Sequence, residues 1–419
     1  MAKTEPRSVQ KRIAPHVLID DDNRIQILSS IEPIAEEIIS FDNIVNLTAK
    51  LMDISDFELR LVRFFDAYCI DLFSFRKDMY VENIWRRCVP YYFCKSPLLR
   101  QAVYLFSCLN LWPLFDYEKY GQGSHITNLD LASQGKVYLR KGCEVRKPND
   151  DEIYLKTTYY FLNTIREKNS AINKLVGFEN GASSHETGDL AVELFFTCTL
   201  IFSFLGIHSH RLVPLVSFNH GIKNDFLGVC RGLLITRDVC EKSCGENLQR
   251  FFWTTRRVAV NGTKDISITS SLDKQLLEYF SRETINSAST LKRECFTGAI
   301  NVLNRVMSTA STLNNPIPVF SWVLLVNHDL LNYIWSQDFF ALRILYVYAC
   351  LCQISRFLLN ISQNMWVDYI LWFKNYNQSN FGGWKYDFDK GFYNLIKSEY
   401  LIEHGNFAVY TSLDPTDLR

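Results

Sequence analysis

The residues best suited to chemistry in this chain are its eight histidines and twelve cysteines. His208 and His210 stand two apart, a spacing that lets two imidazoles share one face of an extended segment and bind a ligand or pass a proton. They fall in the turn that closes an apolar helix, where the dipole favours histidine on its own account, and that structural role is the expectation. Cys240 and Cys244 are four apart and share a helical face, so with His220 upstream they outline a partial metal site. They lack the closely paired cysteine half-sites of structural zinc, and the remaining cysteines sit singly among aromatics and leucines or, as Cys350 and Cys352, inside the apolar run LRILYVYACLC. No metal is expected.

The usual catalytic constellations are missing as well. His185-Glu186 is followed by Thr, Gly and Asp, without the second histidine of a zincin, and His328-Asp329 reads as a helix start rather than half of a triad. Gly121-Gln122-Gly123 lacks the third glycine of a dinucleotide fingerprint, and neither a P-loop nor a nucleophile elbow occurs. The expectation is a protein that is not an enzyme, with no catalytic residue and no cofactor. What the chain does offer is aromatic surface. Phe218, Trp366, Trp372, Phe381 and Trp384, with Gly382 and Gly383 between the last two, could wall an apolar cavity. The glycine pair in Phe381-Gly382-Gly383-Trp384 is the candidate mobile part of that wall, because glycine permits backbone change. Core packing is the competing reading for each of these rings, and the preferred one residue by residue.

Composition sets the frame for such a wall. The 419 residues carry 45 Lys+Arg against 45 Asp+Glu, a balance that gives no electrostatic footprint for nucleic acid or an anionic membrane. At 47% hydrophobic and 14% aromatic, the chain is too apolar for disorder and rich enough for a large core. The first residues, MAKTEPRSVQKRIAP, contain no apolar run of the kind a secretory signal needs. The longest apolar stretch, Leu194 to Ile207, has 14 residues, short of the ~20 that span a bilayer, and reads as a buried core helix.

The elements that would position the aromatics are helices. Residues 1–53 read as a lead-in, with an amphipathic piece from Ile25 to Ile39, and residues 54–419 as one helical body. Ser55-Asp56-Phe57-Glu58 is a capping box, and apolar residues recur at three- and four-residue steps behind it. Ser96-Pro97 caps a second helix, and Asp150-Asp151-Glu152 suits the start of a third. Residues 121–151 form a long connection with a small basic cluster, and Gly177 to Gly188 a second loop. Leu190 to Leu205 is apolar nearly all round and should be central. Further helical patterns cover Ser271 to Phe280 behind a cap at Ser270, Leu291 to Met307, Phe339 to Phe357 and Asn364 to Tyr376. Asn261-Gly262, between RRVAV and KDISI, is the one candidate for a short β-hairpin in an otherwise all-α array. Asp225 and Arg231 are expected to be polar residues at the edge of the core, holding a helix start.

One run of segments is more specific. VELFFTCTLIFSFLGI (Val192 to Ile207), VPLVSF (Val213 to Phe218) and DFLGVCRG (Asp225 to Gly232) follow one another in this order. LRLVRFFDAYC and SPLLRQAVYLFSCLNL precede them, and FFALRILYVYACLC follows. Together, over roughly Ile54 to Trp384, they resemble the regulatory domain of fungal binuclear zinc-cluster transcription factors, in particular the subgroup of sterol-uptake-control regulators. The resemblance implies a large all-α regulatory domain, often a homodimer, acting in the nucleus in transcription regulation, with an apolar pocket for a sterol or other lipophilic ligand in the sensing members. It also implies a six-cysteine DNA-binding cluster near the N-terminus, and this chain has no cysteine before Cys69. Three explanations stay open: a shortened chain, a member that acts through a transcription-factor partner, or one that reaches DNA otherwise. A protein-interaction scaffold without ligand is the alternative function, and an apolar helix face left open to solvent would favour it.

Overall fold

Ser55 and Glu58 form the expected capping box: the Glu58 N–H donates to Ser55 Oγ at 3.2 Å and the Ser55 N–H donates to Glu58 Oε2 at 2.8 Å. The computed structural model describes residues 53–70, 83–111, 150–177, 184–207, 213–218, 225–243, 266–281, 287–355, 364–403 and 406–415. Apart from Asp53 the lead-in lies outside them, as do the basic cluster of residues 121–149, His208, His210, His220 and Cys244.

The described residues are 83% helical, in 13 helices with no strand. From the capping box α1 (Asp56–Phe64) runs into a π-helical turn, Phe65–Cys69. A second such turn, Ile84–Cys88, leads into α2 (Val89–Lys95), and Arg86 Nη1 joins the two turns by donating to the Asp66 carbonyl and carboxylate at 2.8 and 3.0 Å. Ser96 caps α3 (Pro97–Leu111), its Oγ accepting from the Leu99 N–H at 3.2 Å. Then come α4 (Asp150–Gly177), α5 (Ser184–Ile207), α6 (Phe226–Ser243), α7 (Ser267–Ser281) and α8 (Ser287–Leu313). A short α9 (Ile317–Phe320) continues as a 3₁₀ turn before α10 (His328–Trp335) and α11 (Phe339–Gln353). The chain ends with α12 (Met365–Phe381), α13 (Asp387–Lys397) and a 3₁₀ turn at Phe407–Thr411.

Two helices carry the core. α5 packs against α3, α4 and α6, the central place that its apolar circumference demands. Its 20 residues Gly188–Ile207 are long and apolar enough to cross a membrane, with Asp189 and Glu193 extending the stretch beyond the 14 residues free of charge. Of that span 78% is buried among other helices, which is the condition of a core helix. α11 plays the same part in the second half: all of its residues from Phe339 to Gln353 are buried, against α8, α10, α12 and α13. The buried apolar side chains from Leu61 to Leu413, apart from a small satellite of Leu98, Ala171 and Leu194, form one continuous cluster, so a single core serves both halves.

Several element boundaries differ from the sequence reading: α8 and α12 run past the expected ends at Met307 and Tyr376 to Leu313 and Phe381, and α11 stops at Gln353, short of Phe357. α5 begins at Ser184, inside the expected Gly177–Gly188 loop. α7 begins at Ser267, so Ser270 lies one turn inside the helix, its N–H donating to the Ile266 carbonyl at 3.0 Å, instead of capping it. For the same reason the second arm of the expected hairpin, KDISI, is helical from Ser267 onward; the Asn261-Gly262 turn lies outside the described residues. At Ser184 and Ser267 the helices gain turns whose local residues are weak helix formers because the neighbouring turns are buried.

Candidate functional site

The seven aromatic and glycine candidates gather around α12. Asn364 starts this helix, its side chain accepting from the N–H groups of Trp366 and Val367 at 2.9 Å each, and that cap fixes the register of every ring that follows. Trp366 turns into the core. Its Nε1–H donates to the carbonyl of Gly206 at 3.0 Å, and its indole meets Phe226, Phe320 and Tyr348 edge-on. Phe320 in turn lies 4.7 Å from Phe202 between ring centroids, so this cluster joins α5 and α6 to the second half of the molecule. Gly206 is required here, since a Cβ on it would stand 2.3 Å from Phe320 Cζ.

Trp372 faces elsewhere and takes the rings of Phe218 at 4.6 Å and Tyr376 at 5.3 Å. Through Tyr376 the array continues to Phe339 and Phe373, then to Phe381 and Trp384. The sequence candidates therefore divide: Phe218, Trp372, Phe381 and Trp384 belong to one aromatic array, and Trp366 belongs to the junction of the two halves. Phe381 is the exposed member at 45%, flanked by the ammonium of Lys385 at 5.0 Å. Gly382 ends α12 in the left-handed region at φ 70°, its N–H donating to the Gln378 carbonyl at 3.1 Å, which is the helix-ending role that glycine fills best. Gly383 has neither a positive φ nor a neighbour that a Cβ would touch.

Sequence reasoning missed the charged centre of this array. Arg343 and Asp389 are both fully buried; Arg343 Nε donates to the two carboxylate oxygens at 2.9 and 2.7 Å, and Nη2 donates to Gln275 Oε1. The guanidinium lies 4.0 Å over the ring of Tyr386, and Nη1 has no partner. Burial pushes the Asp389 carboxyl up from the ordinary range against the pull of the Arg343 charge. Tyr346, stacked on Phe373 at 4.5 Å, donates to the Asp389 carbonyl at 2.8 Å, and burial raises its phenol well above the usual value. The signal was Arg343 itself, the one charge in Phe339–Gln353.

Asp225 takes the position expected of it, whereas Arg231 lies in the second turn of α6 and does not hold the helix start. Asp225 is buried and starts α6 by accepting from the Gly228 N–H at 2.7 Å, while its other oxygen accepts from the Ser217 N–H at 2.8 Å and from Trp335 Nε1 at 2.9 Å. Arg231 lies 5.9 Å from the Trp335 ring. His328 and Asp329 open α10 behind the Asn327 cap. Among the described residues no group of three or more His, Cys, Asp and Glu is placed to hold a metal ion.

These elements define an all-α, multi-helix protein built on two buried central helices. No protein-family model matches the chain, and no curated protein or solved structure matches it.

Proposed function

We propose that this chain is a transcription regulator, the regulatory domain of a factor of the fungal zinc-cluster type, acting in the nucleus and responding to a lipophilic ligand such as a sterol. One observation carries the reading. The three segments whose order makes the resemblance, Val192–Ile207, Val213–Phe218 and Asp225–Gly232, form a single tied unit: the end of α5, an extended strap and the start of α6. Asp225 holds that unit together by bonding the strap at Ser217 and the second half of the molecule at Trp335. A motif order that maps onto one tertiary unit, instead of onto scattered helices, supports a shared fold. The aromatic array around α12 is the surface on which an apolar ligand would act, through whichever conformer it binds better.

The test is a tethering assay. The chain fused to a heterologous DNA-binding domain should change transcription of a reporter bearing the matching site, and the change should respond to sterol depletion. A fusion that is expressed, reaches the nucleus and leaves the reporter at baseline in both conditions would sink the proposal.

A second reading, an interaction scaffold without ligand, is favoured by α4. Leu155, Tyr159 and Leu162 are 65%, 60% and 61% exposed and recur at the four- and three-residue steps of one helix face. A reporter response that is insensitive to sterol but lost when this face is made polar would select it.

A further inference from the structure

The outer side of α4 carries an apolar stripe. Leu155, Tyr159 and Leu162 are exposed on one face, and the exposed Arg166 continues it, so the stripe advances by four, three and four residues. Thr157, Tyr160 and Thr164 form the buried side of the same helix. Apolar residues at that spacing make the seam along which a second helix packs, at a crossing angle of about 20°.

The start of α1 decides which part of the chain reaches this seam. Phe57 lies under the Lys156 ammonium, 3.7 Å from its ring centroid, and Glu58 accepts from Tyr160 Oη at 3.4 Å. Tyr159 packs edge-on against Tyr160 at 5.6 Å, which puts the first turn of α1 beside the stripe. The residues that precede Asp53 therefore enter the molecule next to the exposed face of α4.

Those residues, which lie outside the described part of the chain, hold a matching pattern. Ile31, Ile34, Ile38, Phe41 and Val45 recur at steps of three, four, three and four. Ser30 is placed to cap a helix there, and Pro33 falls in its first turn, where a missing N–H is no loss. From Ile25 to Ala49 the sequence holds Glu32, Glu36, Glu37 and Asp42 and no Lys or Arg. From Leu155 to Gly177, α4 holds Lys156, Arg166, Lys168 and Lys174 against Glu167 alone. The two stretches match in spacing and oppose each other in charge. The connection from Val45 to Asp53 can span about 26 Å when extended, ample for the segment to fold back beside α1.

We propose that the lead-in segment Ile31–Val45 docks on the Leu155–Tyr159–Leu162 face of α4 in the same chain, as an amphipathic helix. The size of the stripe favours this occupant over a second copy. Three large side chains fall far short of the roughly 20–30 residues a side that a stable complex buries. A tethered segment needs less contact, because its effective concentration is on the order of mM. The docking is independent of the regulatory reading above. It competes with the scaffold reading for one face: an outside partner would bind α4 only by displacing the lead-in.

Hydrogen exchange of the full chain, read by mass spectrometry at two protein concentrations, tests the docking. In the wild type the amides of residues 31–45 should exchange at least about tenfold more slowly than in an isolated peptide of that sequence, at both concentrations. Leu155→Asp with Leu162→Asp should return them to the peptide rate with the cooperative urea transition retained, since both side chains are exposed. Ile34→Asp with Ile38→Asp leaves α4 itself intact and should speed exchange in residues 155–166, which keeps the test decisive if the α4 variant fails to fold. Peptide-like exchange of residues 31–45 in the wild type overturns the proposal. So does protection that survives the α4 variant, which would place the segment elsewhere, or protection that grows with protein concentration, which would make the occupant a second copy.

Discussion

The indole of Trp366 donates a hydrogen bond to the carbonyl of Gly206, 160 residues away in sequence and 3.0 Å away in space. Gly206 stands in the last turn of α5, where helix carbonyls lose their intrahelical donors, so Trp366 supplies a missing partner to a buried helix end. The same glycine lets Phe320 approach, and the two contacts make this point the joint between the halves of the molecule.

Breaking the joint from either side should be costly. Trp366→Phe leaves the Gly206 carbonyl buried without a donor, worth about 1–3 kcal/mol, and removes ring contacts besides. Gly206→Ala forces a methyl against Phe320 and should cost about as much through displaced packing. Because both substitutions disturb one contact set, the double variant should lose less than the sum, as measured by urea midpoints. Strict additivity would mean that the two residues are not coupled.

The buried pair Arg343 and Asp389 should behave as a unit. Removing one partner strands a charge in an apolar interior, so Arg343→Met or Asp389→Leu alone should cost about 3–5 kcal/mol. The two together remove both charges and should recover a substantial part of that loss. Equilibrium denaturation of the three variants decides, and a double variant as unstable as the sum of the singles would contradict a pair whose worth lies in mutual neutralisation.

The pair also marks where the sequence stops being legible. Helices announced themselves through caps and periodicity: Ser55, Ser96 and Asn364 each cap the helix that follows them, and α5 and α11 are as buried as their apolar circumference requires. The facing of rings was another matter. Trp366 and Trp372 are six apart on one helix, yet they address different neighbours, because which face meets which helix is set by tertiary packing. A lone arginine in an apolar run signals a buried counter-charge, but Asp387 and Asp389 both stand in the first turn of the last helix and only the fold selects the second.

The glycine pair after α12 should separate cleanly. Gly382 sits at φ 70°, where a side chain is strained, so Gly382→Ala should cost about 1 kcal/mol. Gly383→Ala meets no neighbour and needs no unusual backbone, so its midpoint should match wild type within about 0.5 kcal/mol. If both alanines also leave the tethered reporter unchanged, the pair ends a helix and does nothing more. Equal destabilisation by the two would refute the assignment of the helix-ending role to Gly382.

Asp338 serves two elements at once and should reveal it. It caps α11 by accepting from the Phe340 and Ala341 N–H groups at 2.9 and 3.1 Å, and its other oxygen takes the Lys292 ammonium at 2.8 Å. Asp338→Asn keeps an acceptor for the cap and loses only the ion pair, so it should be milder than Asp338→Ala, which loses both and should cost about 1–3 kcal/mol. Chemical denaturation of the two variants beside Lys292→Met gives the comparison; an asparagine as damaging as alanine would show that the cap carries no weight.

Stability should fall on the alkaline side, starting near pH 9. Burial pushes the thiols of Cys198 and Cys295 up from 9.0 to about 11 each, and it raises the phenols of Tyr346, Tyr348 and Tyr369 well above 10.0. For Lys292 burial works downward but is outweighed by Asp338, so its ammonium is also raised. Every one of these groups holds its proton more tightly folded than unfolded. Linkage then gives one sign: their contribution is complete below the unfolded value and is lost as the pH climbs through the folded one. Urea midpoints taken from pH 8 to pH 11 should hold to about pH 9 and decline beyond it, and Cys198→Ala with Cys295→Ala should flatten the first part of the decline between pH 9 and pH 11, whatever the variant's starting stability. An unchanged slope in the double variant would mean that these thiols reach solvent in the native state and that the helices around them are looser than their packing implies.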